Sequence, residues 1–175
     1  GPAIKWRPGR VDAQTLSEVG AGFGAPNSAS ESPADLQAFF SHFNLQDRQV
    51  VALMGAHQLG FCHLNKTGFN GPWSLRPYNF GTEYFDRLVN HSLYNTYTRQ
   101  DVMSLDPHFG DRTRYVDTSG TGNGLIMLPA DISLTRDPGL LSHITSFSQN
   151  PQQFPEYFQT AFQSLLEFGL NLQSD

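Results

Sequence analysis

Asp47-Arg48-Gln49-Val50-Val51-Ala52-Leu53-Met54-Gly55-Ala56-His57-Gln58-Leu59-Gly60 is the stretch on which the reading of this chain turns. The spacing predicts one amphipathic helix, because Val50, Leu53, Met54 and His57 fall at i, i+3, i+4 and i+7. His57 then stands on the apolar stripe. Gly55, Ala56 and Gly60 leave space around it for a flat, bulky ligand. The plainer alternative is a core histidine satisfied by a buried partner.

Outward from this helix, the neighbouring segments also read as helices. Upstream, Ser32-Pro33-Ala34-Asp35 places Ser at an N-cap, Pro at N1 and an acid in the first turn. That helix runs through Leu36, Phe39, Phe40 and Phe43, and Asn44 is expected to cap the next, with Asp47 in a capping-box position. Downstream, residues 61–73 read as a loop carrying Cys62, His63, Lys66, Thr67 and Trp73. Residues 82–89 read as a short helix with Tyr84, Phe85, Leu88 and Val89 inward. Two further helices are expected to start at Asp137-Pro138 and Asn150-Pro151, the last with a stripe of Phe154, Phe158, Ala161, Phe162, Leu165 and Leu166.

The rest is less regular. Trp6-Arg7-Pro8-Gly9-Arg10-Val11-Asp12 is turn-rich, and residues 20–32 read as a flexible loop. In residues 90–123 the turn signals Asp106-Pro107, Phe109-Gly110 and 120–124 suggest short strands or hairpins. The fold class expected is mainly α with a small β insertion. One domain would span 1–175, with a loop-rich entry segment over 1–31 and a polar insertion over 90–124.

Composition narrows the function. The chain has 175 residues, enough for a real core, and 14 phenylalanines supply large apolar area at only 38% hydrophobic content. A net charge of −5 argues against a nucleic-acid surface and permits a basic protein partner. A single cysteine, Cys62, excludes an internal disulfide and suggests a reducing compartment. No run approaches a transmembrane length, and the first residues do not read as a secretory signal.

Three chemistries can be tested on the residue types. His57, Cys62 and His63 are close in sequence as zinc ligands would be, but lack a matching second pair. A hydrolase would need a nucleophile elbow, and Cys62 with His63 is only a neighbour pair. A proximal haem ligand needs one imidazole on a helix, a carboxylate for its other ring nitrogen and an apolar wall. His57, Asp131 and the run 125–128 offer these. Each residue also has an ordinary reading: Trp73 as core, His63 as a solvated loop histidine, Asp131 as an N-cap.

The run 50–60 is followed in order by His63, Thr67-Gly68, Gly71-Pro72-Trp73 and then Leu128-Pro129-Ala130-Asp131-Ile132-Ser133-Leu134-Thr135-Arg136-Asp137-Pro138. This series resembles the proximal half of a class I haem peroxidase. Cytochrome c peroxidases are the nearest group, and ascorbate peroxidases follow. The segment 6–12 and the last helix match as well, so the resemblance covers the whole chain.

The resemblance implies a haem-peroxidase fold with haem b as cofactor. His57 would be the axial iron ligand, and Asp131 would accept a hydrogen bond from its Nδ1–H and raise imidazole basicity. Trp73 would stack near His57 and carry a radical. His63 and Thr67 would lie near the propionates, and Ile126, Met127 and Leu128 would line the haem face. Gln58 and Lys66 depart from the ascorbate peroxidase pattern, and Phe61 replaces a common basic residue near the propionates.

In this family a distal helix carries an Arg and an aromatic-His pair that handle peroxide. No such segment occurs in these 175 residues. Alone, they would leave an apolar surface open to water. Two readings follow. In the first, the chain is the proximal polypeptide of a split or processed peroxidase. A second chain completes it, and together they reduce hydrogen peroxide with electrons from a donor such as a c-type cytochrome. In the second, it is a catalytically inactive structural subunit of a larger, mitochondrial assembly. A lone haem carrier or sensor is a third possibility. A mitochondrial location is expected, or otherwise another reducing compartment.

Overall fold

A computed structural model describes residues 1–8, 11–19, 26–102, 112–122 and 124–170. Outside these lie residues 9–10 of the turn-rich segment, 20–25 of the expected loop, the signals Asp106-Pro107 and Phe109-Gly110, and Asn123. The described chain is mainly helical. In order, the α-helices are α1 (Pro33–Ser41), α2 (Asp47–Met54), α3 (Leu64–Thr67), α4 (Glu83–Tyr94), α5 (Pro129–Ser133), α6 (Pro138–Gln149) and α7 (Gln153–Glu167).

The strands are few and form two small sheets. β1 (Phe61–Cys62) pairs antiparallel with β2 (Gly71–Pro72). β3 (Tyr97–Val102), β4 (Arg112–Asp117) and β5 (Ile126–Met127) form a second antiparallel sheet in that order. Tyr97 faces Asp117 across β3 and β4, and Tyr115 faces Met127 across β4 and β5.

The predicted helix over 47–60 is two pieces. α2 ends at Met54, and Gly55–Gln58 tighten into a single 3-10 turn. The crowding at Gly55 accompanies this change. A Cβ there would lie 2.6 Å from both the Phe154 and Phe85 rings, so only glycine lets α2 approach α4 and α7 this closely. Gln58 is thereby turned inward and His57 is left half-buried rather than sunk in the core. Gly60, at φ +79°, then reverses the chain into β1.

Other boundaries differ from expectation as well, and α1 stops at Ser41, short of Phe43. Asn44 takes a left-handed conformation after α1 instead of capping α2, and Gln46 precedes the helix, its N–H donating to Gln49 Oε1 at 3.0 Å. α4 runs to Tyr94, a turn beyond the predicted end. α7 starts at Gln153, after a turn that follows Pro151. The Asp137 cap is as the sequence suggested, since its carboxylate accepts the Leu140 N–H at 2.8 Å.

The core is aromatic. Phe85, Phe147 and Phe154 from α4, α6 and α7 meet with centroids 5.0 to 6.1 Å apart, and α2 packs across them. This cluster backs α2 and its 3-10 turn, with the Phe85 and Phe154 rings against Gly55. The Arg7 guanidinium forks onto Glu167 at 2.6 and 2.9 Å, tying the entry segment to the end of α7.

Candidate functional site

Three separate elements bring His57, Trp73 and Asp131 together. The 3-10 turn carries His57. The β1–β2 ribbon folds the chain back, so Trp73 follows immediately after β2 and returns to the His57 ring. The apolar β5 strand delivers Leu128 and the first turn of α5, where Asp131 sits.

Asp131 is the hub, and it is completely buried. Its Oδ1 accepts from His57 Nδ1 at 2.8 Å and from the Tyr84 hydroxyl at 2.7 Å. Its Oδ2 accepts from Trp73 Nε1 at 2.9 Å and from the Leu128 N–H at 2.7 Å. Every acceptor direction of the carboxylate is used. Burial opposes ionisation, but neighbouring His57, the Leu128 amide and the Tyr84 hydroxyl outweigh it and hold the carboxyl below its usual range. An ionised carboxylate only accepts, so the proton in the His57 contact belongs to Nδ1.

The imidazole and indole rings lie 4.3 Å apart at 10°, a stacked pair. Tyr84 meets the imidazole edge-on at 6.0 Å. His57 Nε2 has no hydrogen-bond partner among the described residues, and 30% of the side chain is exposed. The ring is therefore fixed at its inner nitrogen and open at its outer one.

Beside this turn lies an apolar groove of about 380 Å³. Pro26, Phe39, Phe40, Phe43, Leu53, Met54, Ala56, Phe158, Phe162 and Leu165 line it. The open part of the α7 stripe is there, with Phe162 at 37% exposure. A larger concavity of about 920 Å³, lined by Gln46, Asp47, Arg48, Gln49, His143, Tyr157 and Thr160, holds none of the candidate haem-site residues. The apolar groove reaches the histidine turn at Ala56, with Met54 of α2 beside it.

Other sequence candidates fall elsewhere. His63 is exposed on the turn before α3. Thr67 is exposed too, and its hydroxyl closes that turn by donating to His63 O and accepting from the Phe69 N–H. Ile126, Met127 and Leu128 are packed into the core at 1%, 0% and 5% exposure and do not line the groove. The zinc alternative has no support, because no group of three or more His, Cys, Asp or Glu could hold an ion among the described residues. Cys62 is buried, and burial pushes its thiol up, the opposite of an activated nucleophile.

Sequence reasoning passed over two residues. The sequence marks Tyr84 only as part of an inward apolar stripe, yet its hydroxyl reaches Asp131. Gln58, 2% exposed, donates from Nε2 to Ser74 Oγ, Arg76 O and Asn79 O. It also accepts the Tyr84 N–H at 2.9 Å. A long amide next to a ligand-like histidine was the available signal, but its partners are 16 to 26 residues away.

Comparison with known proteins places this geometry. A peroxidase family model matches residues 1–150. A mitochondrial cytochrome c peroxidase of Cryptococcus neoformans is 32% identical over 173 residues, covering 97% of this chain and 41% of that protein. A putative heme-binding peroxidase of Aspergillus fumigatus is 31% identical, covering 97% of this chain and 51% of its own length. A mitochondrial cytochrome c peroxidase of Emericella nidulans is 32% identical, covering 99% and 44%. The chain thus spans about half or less of the length of these relatives. No helix among the described residues is long and apolar enough to cross a membrane. With its histidine, carboxylate and tryptophan assembled in this way, the chain belongs to the peroxidase family.

Proposed function

We propose that this chain forms the proximal half of a haem b peroxidase site. The observation that carries the reading is His57, clamped at Nδ1 by Asp131, stacked on Trp73 and left open at Nε2. The donor set fits haem iron, which needs a single neutral imidazole, and the adjacent groove fits a flat apolar ring. His57 would hold the iron through Nε2, and Met54, Ala56 and Phe162 would face the macrocycle. His63 and Thr67, on the exposed turn, would stand toward its carboxylates.

When bound, haem supplies the redox chemistry by which hydrogen peroxide, two protons and two electrons become two waters. Asp131 accepts the hydrogen bond from His57 Nδ1–H and orients the ring, so the imidazole would be a strong electron-pair donor at Nε2. Trp73 is nearly buried, with its indole N–H fixed on the same carboxylate. A negative charge beside the indole favours positive charge on it, which suits a relay of electrons from a donor.

The distal Arg and His would come from a segment beyond these 175 residues, in the same polypeptide or in a second chain. The names of the relatives support a c-type cytochrome as donor and a mitochondrial location. The net charge of −5 suits a basic donor. An inactive structural subunit is the weaker reading. A purely structural role accounts for the buried carboxylate but not for a histidine clamped at Nδ1 and left without a partner at Nε2.

The test is pyridine-haemochrome analysis of the complete protein with any companion chain retained. The expected result is one haem b for each copy of this chain, with peroxide consumption when a c-type cytochrome is supplied. A complex purified intact with no haem and no uptake of added haem overturns the reading.

A further inference from the structure

We infer that Tyr84 tunes the histidine of this site, by sharing Asp131 Oδ1 with His57 and thereby limiting how strongly that oxygen pulls on the imidazole proton. The inference rests on the proposed haem site and deepens it, naming a positioning residue outside the histidine, carboxylate and tryptophan cluster.

The two hydrogen bonds end on one atom. His57 Nδ1 lies 2.8 Å from Oδ1 and the Tyr84 oxygen 2.7 Å from it. The other oxygen is taken by Trp73 and Leu128. A donor that stabilises the carboxylate charge leaves less of it for the second donor. Without the tyrosine hydroxyl, Oδ1 would belong to His57 alone, and the imidazole would become more anionic and a stronger ligand.

The hydroxyl is held to this task. Tyr84 is fully buried, and Asp131 is the hydrogen-bond partner of its oxygen. Burial and the Asp131 charge raise its own titration well above the ordinary tyrosine range, so it is a neutral donor at all physiological pH. Its backbone is fixed as well, through the N–H donated to Gln58 Oε1. Gln58 is the residue next to His57, and its amide also ties down the 74–79 loop that follows Trp73. The tyrosine is thus anchored to the same frame as the two rings whose carboxylate it shares. A phenylalanine would fill the space equally well, so packing alone does not account for the hydroxyl.

The test reads the His57 Nδ1–H and Trp73 Nε1–H resonances in the complete protein without haem, using ¹⁵N-labelled histidine and tryptophan. In Tyr84→Phe the His57 proton moves downfield. With 3-fluorotyrosine placed at position 84, a more acidic and stronger donor, it moves upfield. Two opposite shifts at a nearly unchanged shape support the inference. No shift, or shifts of the same sign, overturn it, because packing changes alone would not reverse with donor strength. Should Tyr84→Phe fail to fold, the fluorotyrosine protein decides alone by the sign of its shift. Haem uptake is measured separately. A protein that takes no haem yet shows the opposite shifts refutes the proposed function and leaves the hydrogen-bond competition standing. Where haem loads, the reduction potential of the iron falls in Tyr84→Phe, and a potential equal to the parent's overturns the tuning.

Discussion

Replacing Asp131 with alanine removes the acceptor of four hydrogen bonds at once. Three of the donors, Trp73 Nε1, the Tyr84 hydroxyl and the Leu128 N–H, are buried and have no alternative acceptor in place. His57 is 30% exposed and can turn to water. A buried donor left unpaired costs roughly 1–3 kcal/mol, so the three together would cost about 3–9 kcal/mol. Two effects reduce this. The desolvation of the carboxylate, several kcal/mol, is relieved, and water can enter the space vacated. The net loss expected is about 3–5 kcal/mol, the range for breaking a buried pair by removing one partner. Urea unfolding at pH 7, followed by the fluorescence of Trp6 and Trp73, reads it directly. With a slope of about 2 kcal/mol/M the midpoint should fall by roughly 1.5–2.5 M. Asp131→Asn, which keeps one acceptor oxygen, should lie between the two. A loss below about 1 kcal/mol for Asp131→Ala would refute the hub assigned to this carboxylate.

Other consequences follow from the same contacts. Gly55→Ala should destabilise the fold by about 1–3 kcal/mol despite its better helix propensity, since the added carbon meets two rings at 2.6 Å; thermal unfolding measures it. Arg87→Ala strands Asp117, which is almost buried, and frees Glu83, so a loss of about 2–3 kcal/mol is expected in the same urea assay. Acidification should weaken the fold in two stages. Burial lowers His91 and His143 below their ordinary 6.5, so the unfolded chain binds protons first and stability falls as pH drops from about 6.5. Asp131, Glu83 and Glu31 are held below their ordinary values, and their contribution is lost as pH falls from about 4.5 through the folded values. A urea midpoint that does not change between pH 7 and pH 4 would contradict this order.

Local patterns in the sequence were enough for the helices that pack the core, because the phenylalanine and leucine spacing follows the 3.6-residue period. The Asp137 cap was legible for the same reason: its partner, Leu140, is three residues away. The 3-10 turn at Gly55 was not, since the crowding that accompanies it comes from two rings on α4 and α7. His57, Asp131 and Trp73 were legible together only through resemblance to a family, because 58 residues separate Trp73 from Asp131 and 74 separate His57 from it. Tyr84 and Gln58 escaped even that, as their roles lie in where one hydroxyl and one amide point. Ile126 and Met127 lie on β5, which pairs with β4, and both side chains are buried in the core, a placement that depends on contacts far off in the sequence.

His57, held by Asp131, is proposed to be the residue that binds the iron. Resonance Raman of the ferrous, haem-loaded complete protein tests it most directly, through the iron–imidazole stretching band in the parent and in Asp131→Asn. The account predicts a band that disappears in His57→Ala and moves to lower frequency in Asp131→Asn, where the imidazole is less anionic. A band present without His57, or one that Asp131→Asn leaves in place, would contradict it.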